Sequence, residues 1–506
     1  PQAGIEAYNI GEYDRAEKIL LKHAKGAGDR YSRAEYNFYL GECYRLKGKY
    51  SRAVGAYRQA VKYGYHDAVA QLYLGDCYRQ TGKLDEAAEA YEMYLRKRST
   101  DKRAIQGQQS CEMAKRSLAK LVPDKKSGAA VDTGYQLSLM KAFNSKFSDY
   151  CPAYIGDDYE VVYFTSMRTA KRRSKVNRVT GQGNSTIYVA KYDGGEEWTE
   201  PEALPEPWGS KIDDGTPNFS SDGKVMYFTR CPYNKEASAQ GGADYQNTAE
   251  AYEITRSGGR WGEPKRIIPG GDSTMMVAHP AISPDGQTLY FVSDAPGGLG
   301  GKDIWITHKT DDGWSTAENA GAMINSAGDE MFPYVRDNGT LYFSSNGHIG
   351  YGGLDIFIAT RTETGRFDVK NMGLPINSIG DDFGIVFQGN RERGLLSSNR
   401  GNTKGIDNIY SFVLPEVLLT LTGSLTGTGG EKLDGAFVRI VGSDGTNVKL
   451  KPNDDGLYGL TLERETDYII LCGAPGYENK RLELSTMGKN RTEKIDLSAK
   501  LTRHIR

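Results

Sequence analysis

The sequence is poor in the residues that build metal centres and disulfide frameworks. Its 506 residues include only six cysteines and six histidines. No Cys-x-x-Cys pair and no zinc-type spacing of Cys and His occurs among them. The cysteines are also too few and too scattered for a disulfide framework. We therefore expect no structural metal and no cofactor.

Strong charge and long apolar runs are equally lacking. A formal net charge of −1 provides no basic footprint for nucleic acid. No apolar run approaches the roughly 18 residues needed to cross a bilayer; the longest candidate, residues 411–423, contains Pro415 and Glu416 and is typical of strands. The length exceeds what one hydrophobic core supports, which predicts three or four domains.

Common catalytic motifs are absent too. There is no G-x-S-x-G nucleophile elbow and no H-E-x-x-H zinc motif, and the histidines are spread over the whole chain. The sequence therefore predicts a protein without enzymatic activity.

A helical repeat is present in residues 1–120. Residues 40–57 and 74–91 align at a period of 34, which is the tetratricopeptide period. Gly41 and its counterpart Gly75 are expected where paired helices approach closely, with tyrosines filling the groove beside them. Cys43, Cys77 and Cys111 share one phase, which we interpret as core packing. Because such arrays expose a concave surface, this region is predicted to be a docking module.

Five segments in residues 135–414 share a strand–turn–strand template. They begin at residues 151, 216, 279, 332 and 383, and three contain the hairpin pairs Asp222-Gly223, Asp285-Gly286 and Asn338-Gly339, interpreted as type I′ turns. A third strand and, in four units, an aromatic return segment follow. This pattern predicts a five-bladed β-propeller; a six-bladed one, with a degenerate blade near residues 121–150, is the alternative.

The glycine-rich loop at residues 293–306, SDAPGGLGGKDIWI, resembles a phosphate-binding loop at first sight. Its glycines recur in the next two units, and Asp303 corresponds to Asp355 and Asn408. Lys302 does not recur, and no helix follows it, which argues against nucleotide binding. We interpret the loop as a connector whose Asp or Asn bonds nearby backbone amides; Ca²⁺ binding by the repeated acids is the alternative.

Acidic residues also precede the first strand of four units: Asp149, Asp214, Asp329 or Glu330, and Asp381 or Asp382. Carboxylates facing a propeller channel can hydrolyse glycosides. Because these acids recur with the repeat, we interpret them as residues of the turn or strand start.

A basic segment interrupts the first unit at residues 168–178. It contains Arg168, Lys171, Arg172, Arg173, Lys175 and Arg178, and no acid. It is either a solvated loop or a docking site for an acidic partner or an anionic envelope surface.

A linker at residues 121–134 joins the helical region to the predicted propeller. A third β-rich module follows the propeller, at residues 415–500. Its seven short strands and Asp-Gly turns predict a β-sandwich. Since the chain starts at Pro1 inside a helical pattern and stops in charged residues 501–506, we expect a preceding segment and a following domain.

The three modules together resemble a known family. "SPDGQTLYFVS" is similar to WD-like and TolB-like propeller repeats, and "LDGAFVRI", "DDGLYGLTL" and "DYIILCGAPGY" are similar to carboxypeptidase regulatory-like, transthyretin-like sandwiches. In this order, after tetratricopeptide repeats, they resemble OmpA-family envelope proteins of Bacteroidetes, over nearly the whole chain.

The resemblance implies a periplasmic lipoprotein attached near the outer membrane. It implies a scaffold of the type IX secretion system, with PorP and the PorK/PorN ring as partners, and peptidoglycan contact only through a C-terminal OmpA-like domain that this sequence does not contain. A carbohydrate-active propeller enzyme and an envelope ligand sensor are the alternatives.

Overall fold

The computed structural model describes residues 2–26, 28–120, 133–169, 176–195, 197–205, 208, 212–232 and 248–504. Contacts between Cα atoms divide the chain into two compact units. One contains the helices and the sheets up to residue 413. The other contains residues 133–135 and the strands after residue 414. None of the helices in these ranges is both long and apolar enough to cross a membrane.

Three helix pairs and a closing helix begin the first unit. They are α1 Gln2–Asn9, α2 Tyr13–Ala24, α3 Arg30–Leu46, α4 Tyr50–Lys62, α5 Val69–Gln80, α6 Leu84–Leu95 and α7 Lys102–Lys120. The two helices of each pair are joined by a short turn that contains a glycine with positive φ: Gly11 (84°), Gly48 (70°) or Gly82 (76°). Glycine adopts this left-handed conformation without a Cβ penalty, so each turn ends one helix and starts the next.

Close approach within the pairs depends on glycine against an aromatic ring. A Cβ on Gly41 would lie 2.8 Å from the Tyr57 ring, and one on Gly75 would lie 2.7 Å from the Tyr91 ring. Both tyrosines are fully buried. The expected helical repeat is therefore present, and its 34-residue spacing places the same contact in successive pairs.

The cysteines of the helical region are buried thiols between stacked helices. Cys43 and Cys77 are completely inaccessible to solvent, and Cys111 is nearly so. Burial raises the pKa of the Cys43 thiol to about 12. These side chains therefore act as small apolar groups of the core.

Residues 136–413 form five antiparallel sheets. The first strand in the chain, β1 Gln136–Leu139, belongs to the fifth sheet. Sheet one contains β2 Asp149–Tyr154, β3 Val161–Ser166, β4 Thr186–Lys191 and β5 Glu202–Ala203. Sheet two contains β6 Asp213–Phe219, β7 Val225–Cys231, β8 Glu250–Ser257, β9 Arg260–Trp261 and β10 Lys265–Arg266.

The remaining sheets repeat this plan. Sheet three contains β11 Ala278–Ile282, β12 Thr288–Ser293, β13 Asp303–Thr310, β14 Gly313–Trp314 and β15 Glu318–Asn319. Sheet four contains β16 Glu330–Val335, β17 Leu341–Ser345, β18 Asp355–Arg361 and β19 Phe367–Asn371. Sheet five contains β20 Asp382–Phe387, β21 Arg393–Ser398 and β22 Asn408–Val413, with β1 on its outer edge.

The fifth sheet combines residues from both ends of this region. β1 pairs antiparallel with β22, with Gln136 opposite Val413 and Leu139 opposite Tyr410. Residues 136–139 therefore complete the fifth sheet instead of starting a sheet of their own.

The hairpin turns differ from the type I′ turns that the Asp-Gly pairs predict. Gly223, Gly286 and Gly339 have positive φ, but Asp222, Asp285 and Asn338 do not. The Gly223 N–H donates to the Ser220 carbonyl across 2.9 Å, and Asp222 accepts the Lys224 N–H across 3.0 Å. An aspartate carboxylate that accepts a hydrogen bond from the backbone N–H two residues later favours this turn, in which only the glycine is left-handed.

Apolar side chains from consecutive sheets share cores. One apolar cluster lies between sheets one and two, a second between two and three, and a third between three and four. Each contains one almost completely buried phenylalanine: Phe228, Phe291 and Phe343, respectively. Phe164 and Leu395 belong to a further cluster that joins sheet five to sheet one. Burial is nearly continuous along the second strands, such as β12 and β17, because these sheets pack on both faces.

The second unit consists of two four-stranded sheets around one core. One sheet contains β23 Leu419–Gly427, β26 Leu457–Leu462, β29 Glu493–Asp496 and β30 Ala499–Leu501. The other contains β24 Phe437–Gly442, β25 Asn447–Leu450, β27 Asp467–Gly473 and β28 Lys480–Ser485. Leu421, Ile440 and Ile470 are fully buried between them. These described residues contain eight strands, one more than the sequence predicts.

Candidate functional site

The first strands of all five sheets break their pairing register at the same position. The residues at the break have left-handed backbones: Cys151 (φ 50°), Thr216 (52°), His279 (47°), Phe332 (54°) and Gly384 (62°). Left-handed φ is rare for residues other than glycine and persists only where the surroundings impose it. The five residues line one small cavity, so the five sheets meet at this point. We call them the strained ring.

Hydrogen bonds connect the strained ring to the second strands of neighbouring sheets. The backbone N–H of Thr216 donates to Thr165 Oγ1 (2.8 Å), that of His279 to Thr229 Oγ1 (2.9 Å) and that of Cys151 to Ser397 Oγ (2.8 Å). Between sheets four and five, Ser344 Oγ donates to the carbonyl of Asp382 across 3.0 Å. These bonds join sheet one to two, two to three, four to five, and five back to one.

His279 makes the remaining connection, between sheets three and four. Val292 occupies the position where the other sheets have a hydroxyl, opposite Ala278. The Phe332 N–H donates instead to His279 Nδ1 across 3.2 Å, and the two rings stack with centroids 4.1 Å apart. Burial, and then the charge of Lys302, lower the pKa of His279 to about 3. The neutral ring therefore supplies the acceptor that the valine lacks.

The acids considered as glycosidase candidates lie two residues before the strained ring. Asp149, Asp214, Glu330 and Asp382 are at most 1% exposed. Three of them form ion pairs with arginines: Asp149 with Arg168 (2.8 Å), Asp214 with Arg230 (2.7 Å) and Asp382 with Arg400 (2.6 Å). Glu330 has no such partner among the described residues, and burial raises its pKa to about 7. They lie at the first or second residue of the first strands and bond to their own sheet.

The two alternative acids hold loops of the preceding sheets. Asp329 accepts the Lys302 N–H, and Asp381 accepts the Leu354 N–H, each across 2.9 Å. Asp381 also accepts hydrogen bonds from Tyr50 and Gln80 on the helices. Asp381 is therefore part of the contact between the helices and the sheets.

A repeated Asn-Ser pair supports the acids and was missed by the sequence-based interpretation. It occurs at Asn144-Ser145, Asn325-Ser326 and Asn377-Ser378, and each serine precedes the acid by four residues. Each serine N–H and hydroxyl donates to that acid, while each asparagine bonds both backbone groups of a third-strand isoleucine. The recurring N-S-x-x-x-D/E spacing is the sequence signal for this support.

Three loops of the sheets pack against the helices. In sheet one, the Arg178 carbonyl accepts the Asp14 N–H across 3.0 Å. In sheet five, Gly405 packs so closely on the turn after α3 that a Cβ there would overlap the Lys47 carbonyl oxygen. In sheet four, the Gly350 N–H donates to Ser110 Oγ on α7 across 3.1 Å. Part of the surface of the helical region is therefore covered by the chain's own loops.

Two larger cavities lie on either side of the strained ring. The cavity between the helices and the sheets measures about 540 Å³ and is lined in part by Lys47, Tyr50, Asp381 and Asp407. Burial raises the pKa of Asp407 to about 7. The other cavity measures about 360 Å³, and its wall includes Tyr154, Tyr159, Tyr334, Asp157 and Asp337.

The basic segment is only partly described. Lys171, Arg172, Arg173 and Lys175 lie outside the described residues. Arg168 ion-pairs with buried Asp149, and its guanidinium lies 4.8 Å from the Tyr188 ring centroid, so it supports sheet one and does not project into solvent as a free charge. Arg178 forms an ion pair of 3.2 Å with Glu12 of the helical region.

The repeated acids of the glycine-rich loops bond to backbone amides. Asp303 accepts from the N–H groups of Leu299 and Gly300, and Asp355 accepts from those of Tyr351 and Gly352. Asn408 occupies the same register position in sheet five, opposite Ser398. In the part of the chain that the structure describes, no group of three or more His, Cys, Asp or Glu is placed to hold a metal ion.

Comparison with known families identifies the helical region. The tetratricopeptide repeat model matches residues 2–58 and 47–102. These residues therefore contain tetratricopeptide repeats, as the 34-residue period predicts. Comparison with curated protein sequences finds no significant match.

Solved structures resemble the chain only loosely. A gluconolactonase from Xanthomonas campestris is 14% identical, with 56% of this chain and 90% of that chain covered and a TM-score of 0.32. An exo-β-1,3-galactanase from Phanerochaete chrysosporium is 11% identical, with 70% and 99% covered and a TM-score of 0.34. An α-L-arabinofuranosidase from Lactobacillus brevis is 12% identical, with 55% and 94% covered and a TM-score of 0.32. Superpositions this loose assign neither fold nor activity.

Proposed function

We propose that the chain is a non-enzymatic scaffold of the bacterial cell envelope, with residues 136–413 folded as a five-bladed β-propeller. Three features support the propeller: five sheets of similar order, hydrogen bonds that link each sheet to the next and the fifth to the first, and a fifth sheet that takes its outer strand β1 from before sheet one. A propeller of this kind has no unprotected edge strand at its point of closure.

The observation that carries the scaffold proposal is the attachment of the helical repeats to three loops of the sheets. Tetratricopeptide repeats are a protein-interaction module, and the contacts at Asp14, Lys47 and Ser110 place them on the same compact unit as the sheets. A partner bound to the helices would thus be held at a defined position relative to the sheets, which is what an adaptor requires.

The placement of the acids supports a role without catalysis. A general acid or base must reach its substrate. Asp149, Asp214 and Asp382 are buried, and their oxygens accept hydrogen bonds from serine or arginine side chains of their own sheets. Their geometry is that of structural carboxylates.

A more specific proposal rests on the resemblance of the three modules, in their order, to OmpA-family envelope proteins of Bacteroidetes. We propose that the second unit is a transthyretin-like, carboxypeptidase regulatory-like sandwich and that the protein is similar to PorE of the type IX secretion system. It would then be periplasmic, attached to the outer membrane as a lipoprotein, and would connect PorP and the PorK/PorN ring to the cell wall.

Co-purification tests the scaffold proposal. The full chain and a version ending at residue 413 would be tagged and recovered from solubilised envelopes, with PorP, PorK and PorN detected by mass spectrometry. We expect the full chain to recover them and the shorter version to lose a subset. A full chain that recovers none of the three contradicts the proposed assignment.

A carbohydrate ligand is the second candidate, favoured by one observation. The 360 Å³ cavity combines three tyrosines with Asp157 and Asp337, and aromatic walls with a few polar groups are typical of ligand sites. Hydrolysis of aryl glycosides by the purified chain, lost in both Asp157→Asn and Asp337→Asn, would identify an enzyme. Saturable glycan binding without turnover would identify a ligand sensor.

A further inference from the structure

The glycine-rich loops of sheets three and four make matching hydrogen bonds. We call residues 294–302 the sheet-three loop and residues 346–354 the sheet-four loop. The Gly301 N–H donates to the Gly328 carbonyl across 2.9 Å, and the Gly353 N–H donates to the Gly380 carbonyl across 3.0 Å. The Asp303 and Asp355 contacts with backbone amides match in the same way. The two loops therefore share these hydrogen bonds from Gly298 and Gly350 onward, although Gly297 has a φ of 90° and its counterpart Ile349 is not left-handed.

Helices cover the sheet-four loop. Its Gly350 N–H donates to Ser110 Oγ of α7, and Gln80 of α5 donates to Asp381 beside it. Tyr351 and Leu354 of this loop are only 7% and 8% exposed. The loop conformation is thus one that accepts a helix, since its glycine N–H points at a helical side chain.

The sheet-three loop lacks such a cover among the described residues. Leu299, which corresponds to Tyr351, is 49% exposed. Gly298 and Asp329 correspond to Gly350 and Asp381, and no hydrogen bond from a described helix reaches either of them. The surface is therefore a second copy of the helix-binding loop in which Gly298, Leu299 and Lys302 are exposed. Asp329 is half-buried and lies within electrostatic range of Arg103 on α7.

One position differs in charge between the loops. Lys302 is exposed and corresponds to Leu354, which lines a cavity beside Tyr50 and Arg103 on the helices. Leu354 is uncharged and lies beside the basic Arg103 of α7, whereas Lys302 would repel a basic residue and attract a carboxylate at an exposed interface. The occupant of the sheet-three loop should therefore be acidic where the chain's own α7 is basic.

We propose that the sheet-three loop binds an α-helix of a partner protein. The helix would present a small polar side chain to the Gly298 N–H, an apolar side chain to Leu299 and an acidic side chain to Lys302. The site continues the established helix-to-sheet interface onto the next sheet. The proposal rests on the scaffold function and adds the place and the chemistry of one partner contact.

A synthetic helical peptide tests this site on the full chain. The probe has the sequence of residues 102–120 with Arg103→Glu, because Arg103 and Leu354 line the same cavity. Fluorescence anisotropy should show saturable binding, at least about tenfold weaker in Leu299→Asp, since burying a leucine contributes on the order of one to two factors of ten in affinity. The control Leu418→Asp changes a leucine of similar exposure (54%) in the second unit and should bind as the unchanged chain does.

A second comparison tests the proposed contact between an acidic helix residue and Lys302. The Arg103→Glu peptide should bind the unchanged chain several-fold more tightly than it binds Lys302→Leu, and the unsubstituted peptide should show the reverse preference. No saturable binding up to about 1 mM, or equal binding by Leu299→Asp, overturns the proposal.

Two further outcomes would assign another occupant and so also overturn it. One is a dimer of the chain that Leu299→Asp dissociates, which indicates a second copy. The other is protection of the Gly298 amide from hydrogen exchange in the chain alone, which indicates cover by its own residues, since the Leu299 and Gly300 amides are already bonded to Asp303. If the peptide-binding tests contradict this site while PorP, PorK and PorN still co-purify with the full chain, the scaffold function stands without this contact.

Discussion

The backbone N–H of Phe332 donates to Nδ1 of His279 across 3.2 Å, and this bond joins sheet three to sheet four. Asparagine places an oxygen near the position of Nδ1 and tolerates left-handed φ, whereas alanine offers no acceptor. We expect His279→Ala to lower the free energy of unfolding by about 1–3 kcal/mol because the part-buried Phe332 N–H loses its partner. His279→Asn should lose less. Urea denaturation at pH 8 measures both, and equal losses would contradict the assigned role.

The same histidine makes the fold sensitive to acid. Its pKa is about 3 in the folded chain and about 6.5 when unfolded, so the unfolded state takes up the proton first as the pH falls. The stability that the neutral ring contributes is fully present above pH 6.5 and declines from there towards pH 3. His279→Asn cannot titrate. The difference in stability between the original chain and His279→Asn should therefore shrink as the pH is lowered, and a constant difference would contradict this.

Glu330 should show the opposite dependence on pH. Burial raises its pKa from 4.5 to about 7, so the folded state favours the protonated carboxyl. The unfolded state releases that proton near pH 4.5, and the stability contributed by the neutral form is lost as the pH rises from 4.5 to 7. Glu330→Gln removes this titration. We expect Glu330→Gln to gain stability relative to the unchanged chain across that interval; parallel pH profiles would show that Glu330 titrates normally.

Glycine-to-alanine substitutions separate helix packing from helix propensity. Gly41→Ala and Gly75→Ala bring a methyl group within 3 Å of buried tyrosine rings, so each should destabilise the chain by about 1–3 kcal/mol. A methyl group on Gly55 of α4 would have open space around it, with no packing neighbour within 4 Å. Gly55→Ala should therefore be neutral or stabilising by up to about 1 kcal/mol, since alanine is the better helix former. Thermal unfolding monitored by circular dichroism compares the three, and a loss in Gly55→Ala equal to the others would contradict the packing argument.

A second glycine pair tests the attachment of the helices to the sheets. Gly405 and Gly401 have φ of 70° and 72°, so alanine meets the same backbone strain at both positions. Only at Gly405 would the added methyl overlap the Lys47 carbonyl oxygen; around Gly401 there is open space. We expect Gly405→Ala to increase hydrogen exchange in α3 and α4 and Gly401→Ala to leave it unchanged. Equal exchange in both variants would show that this contact does not hold the helices.

Much of the local structure follows from short-range patterns. The 34-residue period places Gly41 against Tyr57, and the strand–turn–strand template gives the first two strands of each sheet, because these contacts join residues close in sequence. The turn type was wrong because the Asp222 carboxylate bonds a backbone amide and keeps the aspartate out of the left-handed region. The fifth unit begins one residue later than its aligned segment indicates, since Gly384 and not Phe383 takes the strained position.

The candidate site was less accessible from the sequence. The aspartates and Glu330 were found by their recurrence, and the Asn-Ser pairs that support them recur as clearly but were overlooked. The role of His279 depends on Val292 and Phe332, which lie in its own and the neighbouring sheet, so no local pattern reveals it.

The sequence by itself determined the kinds of structural unit that this protein contains, because helix pairs and hairpins depend on side-chain periodicity within a few tens of residues. Only the tertiary structure decided how those units are joined. Lys47 packs on Gly405, and Ser110 bonds Gly350, across hundreds of residues of chain. Such contacts depend on the folded position of both partners, since the same glycine-rich loop is covered by helices in sheet four and exposed in sheet three.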